Sequence, residues 1–368
     1  MSRSYDHGGN VFTVSRELGV EPGQMLDFSA SINPLGMSKI AREALIHSLD
    51  TLVHYPDTGH NDLKQALAQF HNLPPAHFTI ANGSTELIYH LPTMIHGKKA
   101  LIISPSFSEY AKALDQHHWE TAHFILDPES NFSIDTDKLA RALDNGVDAL
   151  FICNPGNPNG TLYPLRVIEK IYTLCRSAGT FMVLDEAFMD FSEEASAKRM
   201  IVGCDNAVIL RSMTKFFGIP GLRLGYAIGN ASLAERLDVM GGPWNVNTLA
   251  LAAGTAALHD ARHNMDTLEF VRQERRVLVE SLARFPQLRV YPSSANYLLI
   301  EIGDGMTARE LRESLLPHGI LIRDCANFTG LDGRFFRIAV RTGDENRRLL
   351  ECLDGIFPAG EHIEIITN

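Results

Sequence analysis

The chain has 368 residues, 45% of them hydrophobic, and carries a formal charge of −11, with no basic block. That length supports a large core in two domains or one big one, and the acidic balance argues against non-specific nucleic-acid binding. Five scattered cysteines without a CxxC, and no zinc spacing among them or the 15 histidines, read as free thiols in a reducing cytosol. The opening "MSRSYDHGGN" lacks the apolar core of a signal peptide, and no apolar run approaches the roughly 18–20 residues of a membrane helix. The expectation is a cytoplasmic protein that binds neither membrane nor nucleic acid.

In chain order, the first 50 residues are irregular and then helical, at "SKIAREALIHSL". From about 60 to 230, short apolar runs alternate with helical patterns: "ALIIS" (100–104), "ALFIC" (149–153), "FMVLD" (181–185) and "AVILR" (207–211). Strands so uniformly apolar need cover on both faces, as in the middle of an α/β sheet. Between them, "DTDKLARALDNG" starts on an acidic residue and ends in Asn-Gly, and "YPLRVIEKIYTLCRSAG" ends in Gly, both helix signatures. After about 265 come a long helical pattern, the strand-like "LRVYP" and "ANYLLIEI", a helix at "TARELRESLLPHG", then "ILIRDC" and "FFRIAV". The predicted architecture is α/β. A large domain over 50–260 has a mainly parallel mixed sheet covered by helices, and 1–49 with 261–368 form a smaller α+β domain with an N-terminal arm.

Ligands of open α/β sheets sit outside the carboxyl ends of the strands, so the residues just after each strand hold the chemistry. Asp185 ends an apolar strand; its buried carboxylate is either a cap or structural ion pair, or an anion facing a cationic ring nitrogen. "NPGNPNG" (154–160) is either a tight turn or the source of a side-chain amide, Asn157, for a ligand oxygen. "NGSTELIYHL" (82–91) opens a helix on Ser84 and Thr85, which serve equally as caps or as an anion site. Lys215 is unremarkable alone, since its amine is nucleophilic only where its pKa is lowered. Arg223, Ser212 and Thr214 nearby supply donors to a phosphate. Together with the aromatic Phe107, these are the contacts of one phosphorylated pyridine-ring cofactor, pyridoxal 5′-phosphate, with Lys215 as its Schiff base.

The set "NPGNPNGT", "VLDEAF" and "SMTKFFGIPGLRLGY" resembles the fold-type I, aspartate aminotransferase-like, pyridoxal-phosphate enzymes over about residues 5–355, and most nearly their histidinol-phosphate aminotransferase branch. Within it, "HGGN" and "LDFSASINPLG" look like those of the threonine-phosphate decarboxylases of cobalamin biosynthesis. The resemblance implies that Asp185 keeps the ring nitrogen protonated, Asn157 donates to O3′ and Phe107 stacks on the ring. It further implies that Ser84, Thr85, Ser212 and Arg223 hold the cofactor phosphate, and that Tyr55 of "HYPD" reaches the cofactor of a neighbouring subunit in a homodimer with shared sites. Arg337 is implied for the carboxylate of a small phosphorylated amino-acid substrate and Arg323 for its phosphate, with His7 and Asn10 as further candidates for that anion. His90 and Tyr110 could as easily be packing as part of the site. Phe188 stands where many relatives have a tyrosine that also bonds O3′, which leaves Asn157 to make that contact alone. The implied activity is decarboxylation of L-threonine O-3-phosphate; the alternative is a histidinol-phosphate or related aminotransferase.

Overall fold

The computed structural model describes residues 7–303 and 305–357; the tail "EHIEIITN" lies outside them. Thirteen strands are present among these residues: β1 (Leu26–Asp27), β2 (Phe78–Ala81), β3 (Lys99–Ser104), β4 (Glu120–Ile125), β5 (Ala149–Cys153), β6 (Phe181–Asp185), β7 (Ala207–Ser212), β8 (Gly225–Ile228), β9 (Leu288–Val290), β10 (Tyr297–Ile302), β11 (Ile320–Leu321), β12 (Arg323–Asp324) and β13 (Phe335–Ala339). The main sheet has seven strands in the order β2-β8-β7-β6-β5-β3-β4. All run the same way except β8, which is antiparallel to both neighbours.

The four apolar runs read from the sequence are β3, β5, β6 and β7, the middle of this sheet. Their residues alternate between two cores, as the two-residue period of a strand requires. Leu101, Ile103, Leu150, Ile152, Met182, Leu184 and Ile209 enter one core. Ala100, Ile102, Phe151, Val183, Val208 and Leu210 enter the other. The helix Thr136–Leu143 starts on Asp135, whose carboxylate accepts from the backbone N–H groups of Asp137 and Lys138. The helix Leu165–Ala178 stops at Gly179, which takes a left-handed φ of 71° that glycine adopts without strain.

A second, four-stranded antiparallel sheet has the order β12-β13-β10-β9, and β1 pairs in parallel with β11. Its Leu298, Ile300, Phe336 and Ile338 pack in a third core with Leu311 and Leu349 of the helices Ala308–Leu315 and Gly343–Ile356. "ILIRDC" is not one strand but two short ones, in different sheets. The N-terminal region also differs from the irregular chain expected: Val11–Leu18 is a helix, ended by Gly19 at a φ of 68°.

Alternation has a second consequence at the ends of β6 and β7. Asp185 and Ser212 fall on the face of Val183 and Leu210, so Glu186 and Arg211 fall on the opposite one. There the fully buried Arg211 guanidinium meets Glu186 at 3.1 Å, Asp190 at 3.1 Å, and Glu193. Lys198 also pairs with Glu193 and lies 3.1 Å from His71 Nδ1, while His71 Nε2 meets the Tyr226 hydroxyl at 2.7 Å. Ser196 Oγ and the Ala197 N–H donate to Glu186 at 2.7 and 2.9 Å. Burial pushes Glu186 up to about 7 and Asp190 up to about 6, against the pull of Arg211. Removing the cation while leaving its carboxylates is expected to cost about 3–5 kcal/mol of folding free energy. Urea unfolding of Arg211→Met checks this: a midpoint equal to wild type contradicts it, and Glu186→Gln added to that variant is expected to restore part of the loss.

Candidate active site

A cavity of about 240 Å³ opens at the carboxyl ends of β3, β5, β6 and β7. Of the residues singled out in the sequence, His7, Ser84, Thr85, Phe107, Asn157, Asp185, Ser212, Lys215, Arg223, Arg323 and Arg337 all line it. Tyr55 and Asn10 do not. Tyr55 is 79% exposed and stacks on Trp244, ring centroids 4.5 Å apart. Asn10 spends its side-chain amide on the His7 carbonyl, at 2.5 Å, and lines an adjoining cavity that shares His7 and Arg323 with the first.

One end of the cavity is a cup of donors. Ser84 and Thr85 open the helix Ser84–Met94, whose first backbone N–H groups have no partner within the helix. Ser212 and Thr214, hydroxyls 2.7 Å apart, and Arg223 close the other side. The cup depends on Gly83, at a φ of 78°: a Cβ there would stand 2.6 Å from Arg223 Nη2. Hydroxyls, a helix N-terminus and a guanidinium around a small space are the chemistry of a phosphate site, so this end fits the phosphorylated cofactor expected from the sequence.

The middle holds the ring-sized features. Phe107 follows β3 and lines the cavity. Asn157 Oδ1 accepts from Arg337 Nη1, which leaves the Asn157 amide N–H groups as donors. Asp185 is 4% exposed and its two oxygens are separately held: Oδ2 accepts from the Tyr110 hydroxyl at 2.5 Å and Oδ1 from the Ala187 N–H at 2.9 Å. Burial raises its pKa, and these two donors oppose the rise. Of the two readings the sequence left open for Tyr110, packing or site, its hydroxyl contact adds the second to the first. His90 does not line the cavity and sits 3.9 Å from Glu86.

Lys215 lies deep in the molecule with part of its surface facing the cavity. Burial first, then the positive charges of Arg337 and Arg223, bring its pKa down to about 8, with Asp185 pulling the other way. Its loop is pinned from the N-terminal region: the Asn33 N–H donates to the Lys215 carbonyl at 3.0 Å and the Asn33 amide to the Phe216 carbonyl at 2.7 Å.

The far end is cationic. Arg323 and Arg337 are directly opposite one another on the antiparallel strands β12 and β13, so their side chains share a face. Both are buried and both line the cavity. Arg337 Nη2 donates to the Ser29 carbonyl at 3.0 Å, and its guanidinium lies over the Tyr297 ring at 4.9 Å. Arg323 donates to Asn327 at 2.8 Å and lies over Phe328 at 5.2 Å. His7 Nε2 stands 2.9 Å from Glu109. Phe188 packs edge-on against Tyr297, ring centroids 4.8 Å apart, and brings no hydroxyl.

Comparison with known proteins accounts for this arrangement. The family model of the class I and II aminotransferases matches residues 23–353. The chain belongs to this family. It is 39% identical to the threonine-phosphate decarboxylase of Salmonella typhimurium, over 96% of this chain and 98% of that one. It is 30% identical to an adenosylcobalamin biosynthesis bifunctional protein of Leptospira interrogans, over 96% of this chain and 41% of that one. The solved histidinol-phosphate aminotransferase of Clostridium acetobutylicum superposes with a TM-score of 0.85 at 31% identity, covering 90% of this chain and 99% of the other.

Three features of this class I and II aminotransferase site escaped the sequence reading. Tyr110 falls on the buried face of the helix Glu109–Gln116, where an aromatic residue reads as core. Ser31 is buried and lines the cavity, and its Oγ has no hydrogen-bond partner among the described residues. Ser29 and Asn327 complete the rim. Ser29 and Ser31 lie within "LDFSASINPLG", which carried the resemblance but no chemical signal of its own.

The Lys215 shift sets a pH dependence. The unfolded chain titrates near the ordinary 10.5 and the cofactor-free folded protein at about 8. Between these values the unfolded state binds more protons, so this group's penalty to the fold is full below the window and disappears as pH rises through it. Cofactor-free Lys215→Met is expected to melt a few degrees above cofactor-free wild type near neutral pH, with the gap closing above about pH 10.5. Calorimetry across that range checks it; a gap that does not change with pH contradicts the assignment.

Proposed function

We infer that this protein decarboxylates L-threonine O-3-phosphate, with pyridoxal 5′-phosphate as cofactor, to give (R)-1-amino-2-propanol O-2-phosphate in cobalamin biosynthesis. The observation that carries the reading is the Arg323–Arg337 pair. Two arginines directly opposite one another on neighbouring strands make a cationic face that suits anions. A substrate with both a carboxylate and a phosphate supplies two. The likeness to the Salmonella decarboxylase supports the same assignment.

Each residue then has a task at a stated atom. Ser84, Thr85, Ser212 and Arg223 would hold the cofactor phosphate, Asn157 would donate to O3′, Phe107 would cover the ring and Asp185 would face the ring nitrogen. When bound, the cofactor would supply a π system that accepts the electron pair of a bond broken at the substrate Cα. Lys215 would hold the cofactor by its amine and would be placed to move a proton at the substrate Cα. Arg337 binds the substrate carboxylate by its planar fork, and Arg323, with His7 at the rim, binds the phosphate. Fixing both ends sets which Cα bond stands perpendicular to the ring. Here that bond is Cα–CO₂⁻: carbon dioxide leaves, and Lys215 or a water returns one proton to Cα. Phe107, Phe188 and Phe328 line the cavity and limit water.

The family's other chemistry is transamination, and the Clostridium structure belongs to an enzyme named for it. Arg337 does not separate the two, because an aminotransferase also needs a carboxylate site for its amino donor. The separating experiment gives purified, cofactor-loaded protein L-threonine O-3-phosphate without any keto acid. Sustained catalytic release of CO₂ is expected. Absence of CO₂, with the cofactor converted to its amine form by glutamate or histidinol phosphate, contradicts the reading. Lys215→Ala is expected to abolish turnover while the protein still folds, and Arg337→Ala to lose roughly 2–5 kcal/mol in kcat/KM.

The protein works as a cytoplasmic homodimer in this reading. The surface around Tyr55, which is 79% exposed, includes Val53 at 82% and Leu52 at 51%, apolar side chains suited to a second copy. Tyr55 then reaches the partner's cofactor phosphate. Sedimentation is expected to give a dimer, and a monomer with full activity contradicts the shared site.

A further inference from the structure

Tyr110 is fully buried beside the cavity, outside its lining, and no step above uses it. Its ring is wedged between Phe107, edge-on at 5.9 Å between centroids, and Phe151, at 5.5 Å. That packing brings the hydroxyl to Asp185 Oδ2, at 2.5 Å, with the Cys153 thiol as its second polar neighbour. The other oxygen of the same carboxylate is taken by the Ala187 N–H. No cation forms an ion pair with Asp185 among the described residues; Lys215 acts on it only at longer range. The remaining groups nearby are the neutral Cys153 thiol and the Tyr297 hydroxyl. Cys153 Sγ is directed to the Pro155 carbonyl at 3.2 Å, and the Tyr297 hydroxyl to the Gly156 carbonyl at 2.5 Å.

A lone carboxylate so deeply buried tends to take up a proton. A protonated Asp185 would present an acid to the ring nitrogen and leave the nitrogen itself neutral, which weakens the electron sink. Two donors on the anion work against that. Burial and the adjacent carboxylate drive the Tyr110 pKa far upward, so its hydroxyl keeps its proton and acts only as a donor to this oxygen.

We propose that Tyr110 is a positioning residue of the reaction: its hydroxyl stabilises and orients the Asp185 carboxylate, and so keeps the proton on the cofactor ring nitrogen. The proposal rests on the placement of Asp185 opposite that nitrogen, and the test separates the two. Holoenzyme is reconstituted with ring-nitrogen-labelled pyridoxal 5′-phosphate, and the nitrogen NMR signal is recorded for wild type, Asp185→Asn and Tyr110→Phe. Wild type is expected to give a pyridinium signal, Asp185→Asn a neutral pyridine signal, and Tyr110→Phe a signal moved part-way toward neutral. The kcat of Tyr110→Phe is expected to fall roughly ten- to a hundredfold, with the KM for L-threonine O-3-phosphate little changed. A shift in Asp185→Asn with none in Tyr110→Phe overturns the role of Tyr110 and leaves Asp185 standing. No shift in Asp185→Asn overturns both. Should Tyr110→Phe not fold, 3-fluorotyrosine at position 110, a stronger donor of nearly the same shape, is expected to move the nitrogen signal in the direction opposite to Asp185→Asn. An unmoved signal overturns the proposal.

Discussion

The geometry of the site depends on the buried Arg211 cluster. Asp185 and Glu186 are successive residues at the end of β6, and Arg211 and Ser212 are successive residues at the end of β7. Because side chains alternate across a sheet, what fixes Glu186 and Arg211 behind the sheet also fixes Asp185 and Ser212 in front of it. The Glu186–Arg211 pair ties the two strand ends together, and Asp190, Glu193 and Lys198 extend the tie into the following segment. Buried ion pairs of this kind add little net stability over apolar packing of the same volume. What this one supplies is position: the Asp185 carboxylate and the Ser212 hydroxyl, both lining the cavity, share one rigid floor.

The front of the sheet is set up for ligands it must meet as ions. Lys215 is depressed by burial and by two arginines, Asp185 is raised by burial, and Arg323 and Arg337 stand side by side. In the proposed reading each of these groups meets a specific partner: a carbonyl carbon for the amine, a protonated ring nitrogen for the carboxylate, two anions for the arginines. Perturbed titrations clustered in one cleft are the usual mark of a working site. The lowered Lys215 suits a nucleophilic amine, whereas burial works against the Asp185 anion and the donors Tyr110 and Ala187 oppose that rise.

Much of this was legible in the chain. The four all-apolar strands are covered on both faces, so their composition alone marks them, and the polar residues after each are the ones the cavity collects. β2, β4 and β8 escaped for physical reasons. β4 is an edge strand with mixed exposure, and β2 and β8 are four-residue strands whose burial comes from neighbours distant in sequence. "ILIRDC" reads as a single strand, yet tertiary pairing divides it between β1 and β13. The cross-strand register of Arg323 and Arg337 has no local signal, since it is set by a partner fourteen residues on. Tyr110 stayed undecided because a buried aromatic on a helix face looks the same whether its hydroxyl is idle or bonded, and only the fold reveals the carboxylate at its tip.

The central claim is that the two substrate anions are divided between the two arginines, the carboxylate to Arg337 and the phosphate to Arg323. The most direct measurement compares kcat/KM for L-threonine O-3-phosphate and for L-threonine in wild type, Arg323→Ala and Arg337→Ala. The account predicts a strong preference for the phosphorylated substrate in wild type that collapses in Arg323→Ala and survives, at lower overall activity, in Arg337→Ala. A preference that survives in Arg323→Ala and collapses in Arg337→Ala would contradict it.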